Sequence, residues 1–106
     1  MARKYYRLPP LSALATFECA ARKMSFKDAA QELSVTPGAV SHQIKLLEQD
    51  LATNLFARKP RAVELTADGQ TLFLALGSAF SDISSSLNSI RKTDDEPSVT
   101  IGATTA

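Results

Sequence analysis

The stretch "VTPGAVSHQIKLLEQDL", residues 35–51, carries the pattern of one amphipathic helix with two unlike faces. At about 100° per residue, a helix through it brings Val40, Ile44, Leu47 and Leu51 within roughly 40° of one another, the apolar stripe that faces a core. Opposite them lie Gly38, His42, Lys45 and Gln49, with Ser41 at the border: small, donor-rich, cationic and without an acid. Thr36 followed by Pro37 marks the start, a hydroxyl cap with proline at the first helical position.

On its N-terminal side, Ser25 is placed to cap a short helix, Phe26–Leu33, with Asp28 three residues on as its capping-box partner. The apolar side of that helix is Phe26, Ala29, Ala30 and Leu33. Before it, "PPLSALATFECAARK" predicts another helix, because Pro10 fits a first turn and the basic pair Arg22 and Lys23 suits a C-terminus. Leu11, Leu14, Phe17 and Ala21 share its inner face. The second and third helices are joined by only two or three residues, so they cross rather than run antiparallel. Ala29 and Ala30 allow the close approach, and Leu33, Val35 and Val40 are expected to fill the space between. The pattern is a helix-turn-helix.

After the helix over residues 35–51 the texture changes at "LFARKPRAVELT". Phe56, Val63 and Leu65 are strand-like, and a small hairpin with the cationic tip Arg58, Lys59, Pro60 and Arg61 is expected. Thr66 then caps a long helix from Ala67 to about Arg91, along which Phe73, Leu76, Phe80, Ile83, Leu87 and Ile90 repeat at spacings of 3 and 4. That heptad seam outruns so small a domain and predicts a partner helix. "KTDDEP" reads as a polar break, and "SVTIGATTA" as the opening strand of another domain.

Composition bounds what such a chain does. With 106 residues, 44% hydrophobic, 22% charged, four Gly and five Pro, it reads as one ordinary globular domain with an appendage. Net charge is only +1, but residues 1–61 carry ten Lys or Arg against five acids, and residues 62–106 carry two against six. The front half suits a polyanion. The single cysteine, Cys19, excludes an intrachain disulfide framework and reads as a small hydrophobe in a reducing compartment, so a cytoplasmic location is expected. "MARKYYRLPPL" lacks the apolar run of a signal peptide, and no 18 apolar residues follow one another. His42 has no acid or thiol partner at metal-ligand spacing, and no phosphate loop or nucleophile motif occurs, so no metal, cofactor or catalytic residue is expected.

The face around His42 and Lys45 could be a plain solvated helix surface; the cationic hairpin that follows it argues for nucleic acid, since a major groove admits a helix while a neighbouring Arg reaches a minor groove or phosphates. Three readings remain: a dimeric double-stranded DNA binder, a helical dimerisation adaptor whose basic face is incidental, and an RNA binder. The last should display aromatics for base stacking, which this face lacks.

Residues 11–70, "LSALATFECAARKMSFKDAAQELSVTPGAVSHQIKLLEQDLATNLFARKPRAVELTADGQ", resemble the DNA-binding region of LysR-type transcriptional regulators. The opening "LPPL" and "VTPGAVSHQIKLLE" are most similar to the branch of glycine-cleavage activators and β-lactamase regulators. Two residues depart from the pattern: Ala52 stands where the family usually has Gly, and Asp68 where Ala is common. The resemblance implies a mainly α fold, a winged helix-turn-helix of three helices and a short β-hairpin wing, over residues 1–65. It implies a dimerising linker helix over 66–92, and over 93–106 a hinge and the first strand of a periplasmic-binding-protein-like effector domain.

By position, the resemblance implies that Pro37, Gly38, Ser41 and His42 meet base edges or nearby phosphates, that Thr36 meets a phosphate, and that Arg61 enters a minor groove. Lys45 and Lys59 join that set from their places on the helix face and the hairpin tip. The implied partners are an AT-rich interrupted palindrome of double-stranded DNA, a second subunit held through the linker helix, a tetramer in the complete protein, and a small-molecule effector taken by the further domain.

Overall fold

A computed structural model describes residues 7–60 and 62–95. Its elements run α1 (Leu11–Lys23), α2 (Phe26–Leu33), α3 (Pro37–Leu51), β1 (Phe56–Lys59), β2 (Ala62–Leu65) and α4 (Ala67–Asp95). The chain divides into two compact units between Leu76 and Gly77, within α4.

Local chemistry starts the helices where the sequence predicts. Ser25 Oγ accepts from the Asp28 N–H at 3.0 Å, and Thr36 Oγ1 accepts from the Ala39 N–H at 3.0 Å, each satisfying an N–H that a helix leaves unpaired. α1 begins without a side-chain cap, its first turn closed on the Pro10 carbonyl by the N–H groups of Ala13 and Leu14. All three helices end on a left-handed residue that is not glycine: Met24, Ser34 and Ala52. After α3 the Ala52 N–H donates to Gln49 O at 3.2 Å and the Thr53 N–H to Glu48 O at 3.1 Å, the paired bonds of a Schellman ending.

In the first unit α1 packs on both α2 and α3, and α2 on α3. Ala20, Ala21, Ala29 and Ala30 are all buried, so the α1 and α2 backbones approach closely. Phe17, Val40, Ile44, Leu47 and Leu55 fill the centre. Three expectations about this core need correction. Leu51 shares the angular stripe of α3 but is 41% exposed, because it is the last helical residue and lies beyond the axial reach of the packing that ends at Leu47. Val35 is 46% exposed in the α2–α3 turn, where only its backbone is tied inward, donating to Ala30 O at 3.0 Å. Leu11, at the first position of α1, is exposed as well.

β1 and β2 pair antiparallel from Phe56 opposite Leu65 to Lys59 opposite Ala62. Arg58 and Lys59 therefore belong to the strand, leaving Pro60 as the one described residue of the expected four-residue tip. α4 runs to Asp95, past the expected end near Arg91, because no Gly or Pro interrupts "KTDD". In its first half Leu76 is buried and Phe73 half-buried. In the second unit Phe80 is half-buried, while Ile83, Leu87 and Ile90 are exposed. The strand expected within 98–106, Arg61 and the basic residues before Arg7 lie outside the described residues.

Candidate nucleic-acid interface

The site is built on the first half of α3. Thr36, Pro37, Gly38, Ala39, His42, Lys45 and Gln49 are exposed, and Ser41 is half-buried at the edge toward the hairpin. Among the described residues no carboxylate forms an ion pair with His42 or Lys45, so their donors face outward. Gly38 is open: a Cβ built there would meet only Thr36 Oγ1, at an ordinary 3.9 Å. Nothing in the fold requires glycine at this position. The Thr36 hydroxyl accepts the capping bond and keeps its own proton for a further acceptor.

The hairpin is seated by a residue that sequence reasoning passes over. Glu48, on the inward side of α3, accepts from the backbone N–H groups of Leu55 at 2.7 Å and Phe56 at 3.2 Å through one oxygen, Oε2. A carboxylate on two N–H groups makes a strong, directional anchor, and it fixes where β1 leaves the reading helix. At the other end of the hairpin, Thr66 Oγ1 donates to Asn54 O at 2.6 Å and accepts from the Gly69 N–H at 3.0 Å.

Arg58 is expected at the tip from the sequence; strand alternation instead puts it two residues beyond Phe56, on the same side of β1. Its guanidinium carbon lies 4.9 Å over the Phe26 ring, and Nη2 donates to Ser41 Oγ at 3.4 Å. Lys59, on the other side of β1, sits 3.8 Å from Glu64 across the hairpin, an exposed pair of small energetic weight that leaves the ammonium accessible.

Away from this face, Arg22 Nη2 lies 2.8 Å from Glu32 Oε2 and Nε lies 3.0 Å from Glu18 Oε2, with Lys23 at 3.2 Å from Glu32 Oε1. Hydrogen bonds from Arg22 and then Lys23 hold the Glu32 carboxyl down at about 2. Cys19 is buried, and that burial pushes its thiol up, away from nucleophilic use. Among the described residues no group of three or more His, Cys, Asp or Glu could hold a metal ion, and no helix is long and apolar enough to cross a membrane.

Residues 11–70 match the bacterial regulatory helix-turn-helix proteins of the lysR family. The chain belongs to that family. Among curated relatives, this lysR-family chain is 44% identical over 95 residues to the glycine cleavage system transcriptional activator of Escherichia coli strain K12, covering 90% of the chain and 31% of the relative. It is 54% identical over 74 residues to the HTH-type transcriptional regulator BlaA of Proteus vulgaris, covering 70% and 25%. Both fall in the branch that the "LPPL" and "VTPGAVSHQIKLLE" motifs resemble, and the chain spans a third or less of either relative. These relatives are transcriptional regulators, not enzymes. Among solved structures, the BenM DNA-binding domain in complex with catB site 1 DNA superposes with a TM-score of 0.74 at 24% identity, over 83% of this chain and 99% of that one. The winged helix-turn-helix with a long following helix is thus the fold of this lysR-family chain.

Proposed function

We propose that the chain is the sequence-specific, double-stranded-DNA-binding part of a bacterial transcription regulator, with α3 in the major groove and the β1–β2 wing against the minor groove. The observation that carries this reading is the acid-free outer face of α3, opened at Gly38 where the fold itself leaves room for a side chain. A backbone that close to the surface lets the helix sit deep between two phosphate rows. Pro37, Gly38, Ser41, His42 and Lys45 meet base edges or flanking phosphates in this reading; Thr36 and Lys59 meet phosphates, and Arg61 the minor groove of an AT-rich stretch. The BenM complex supports the geometry by its fold.

Two copies joined through the seam of α4 would present two such heads to an interrupted palindrome, and in the complete protein pairs of dimers would form a tetramer. In this proposal residues 1–65 are the head, 66–92 the linker, and 93–106 lead into a domain that takes a small-molecule effector in the cytoplasm.

Selection from a duplex pool with a randomised centre tests it. The chain should enrich one motif, Ser41→Ala and His42→Ala should alter that motif, and Lys59→Ala should weaken binding to every duplex alike with a salt slope reduced by roughly one unit. Weak binding that enriches no sequence would favour a helical dimerisation adaptor instead.

A further inference from the structure

Ser41 differs from Thr16 and Thr71 in what its hydroxyl bonds to, and among the described helical serines it is the one that accepts from a guanidinium. Thr16 Oγ1 donates to Ser12 O at 2.8 Å and Thr71 Oγ1 to Ala67 O at 3.1 Å, each returning its proton to the helix one turn back. Ser41 makes no such bond among the described residues; its oxygen instead accepts from Arg58 Nη2. A guanidinium has only donors, so the bond is possible in one sense alone. With one lone pair held by a cation, the hydroxyl keeps its own proton for another acceptor, and among the described residues none takes it.

The guanidinium that does this is itself held in place. It lies on the Phe26 ring, Phe26 meets Phe56 edge-on with centroids 5.2 Å apart and planes at 80°, and Phe56 tilts against Phe17 at 5.4 Å. Phe17 is fully buried. A chain of aromatic contacts therefore runs from the core to the reading face and ends in a planar cation over a ring, a geometry an ammonium does not reproduce.

We propose that Arg58 is a positioning residue for sequence reading: it fixes Ser41 as a proton donor toward DNA, so that Ser41 selects an acceptor on a base edge (a purine N7, guanine O6 or thymine O4), and it ties the wing to α3 in the same contact. The role rests on the DNA-binding reading above. It makes Arg58 more than one more phosphate-facing charge, and it assigns to one base position a dependence on a residue outside the recognition helix.

A double-mutant cycle with Ser41→Ala and Arg58→Lys decides the matter, measured on the duplex that the unaltered chain enriches and on an unrelated duplex. Arg58→Lys keeps the charge, so binding to the unrelated duplex and the salt slope should stay as they are. On the enriched duplex it should cost about fivefold to tenfold, the scale of one hydrogen-bonded base contact, and it should flatten the motif at the same position as Ser41→Ala. The double variant should bind no more than about twofold more weakly than Ser41→Ala alone, since the contact is already lost. A loss of stability in Arg58→Lys would enter both arms of the cycle and leave the coupling readable. Losses that multiply, a motif unchanged in Arg58→Lys, or equal weakening on both duplexes would each overturn the role of Arg58 while leaving DNA binding intact. Failure of the unaltered chain to enrich any motif would overturn both.

Discussion

Gly38 and Gly69 look alike in the sequence and differ in what surrounds them. A Cβ on Gly69 would overlap the Leu55 carbonyl oxygen and press on its carbon and on Leu65 Cδ2, both at 3.0 Å. Leu55 O also receives the Thr66 N–H at 3.0 Å, so neither side can yield without opening the joint between hairpin and α4. Gly69→Ala should therefore destabilise the fold by about 3 kcal/mol, at the upper end of overpacking costs, seen as a lower urea midpoint. Gly38→Ala should leave that midpoint unchanged or raised, because alanine is the better helix former. Its effect should fall on the enriched duplex alone, with affinity reduced roughly tenfold by a methyl held between helix and base edges. A stability loss at Gly38 would mean that the glycine serves the fold, and the open face would lose its meaning. The sequence carries no sign of this contrast, since the backbone atoms that crowd Gly69 most closely come from Leu55, fourteen positions away. Arg58 is closer to legible: strand alternation from Phe56 already puts it on the inner side of the hairpin.

At the scale of elements, the ends of α1 at Lys23 and of α2 at Leu33 are legible as well as the beginnings, while the end of α4, expected near Arg91, falls at Asp95. Ser25 and Thr36 act within three residues of themselves, which is why their spacing alone locates α2 and α3. Met24, Ser34 and Ala52 turn left-handed without the glycine that usually signals it, so the endings depend on the chain being pulled back by contacts of later residues. For Ala52 the pull comes through Glu48 and its grip on Leu55 and Phe56, and through Thr53 Oγ1, which donates to Asp68 Oδ2 at 2.7 Å. Asp68, the other departure from the family pattern, thus closes the same corner. With φ 57° and ψ 38° an alanine there is strained by about 1 kcal/mol. Ala52→Gly should accordingly raise stability by about 1 kcal/mol, or roughly 4–8 °C in Tm for a head of this size. An unchanged or lower Tm in a calorimetric scan would show the strain to be absent.

The α1–α2 junction has its own pH signature. Glu32 accepts from Arg22 and Lys23, and its carboxyl is held at about 2 against an ordinary 4.5. Because the folded value is the lower one, the stabilisation is fully present above 4.5 and disappears as pH falls toward about 2. Glu32→Gln should be less stable than the unaltered chain at neutral pH, and the gap should close across that interval. The group is exposed, so added salt should narrow the gap as well. A gap that is independent of pH in urea melts would assign the effect to packing.

At the scale of the whole molecule, the seam of α4 divides by burial. Leu76 is buried and Phe73 half-buried within the first unit, whereas Ile83 is 54%, Leu87 41% and Ile90 73% exposed in the second. Heptad spacing shows the stripe but not this division, because the period is the same whether a face meets its own core or a second copy. Three large apolar side chains at spacings of 4 and 3 along a bare helix face are what an interhelical contact needs. In a monomer Leu87→Asp changes a surface residue and should leave the melting of the head within about 0.5 kcal/mol. On the proposed dimer the same change buries an unpaired carboxylate, so the variant should sediment as a monomer. Two linked heads gain avidity on the order of a hundredfold or more when both half-sites can be reached. The variant should therefore lose about that factor on a duplex carrying two half-sites and nearly nothing on a duplex carrying one. A dimer with full affinity would move the interface away from the second half of α4. Unfolding of the head by a residue eleven positions beyond Leu76 would instead make the stripe a single continuous core, with no seam left for a partner.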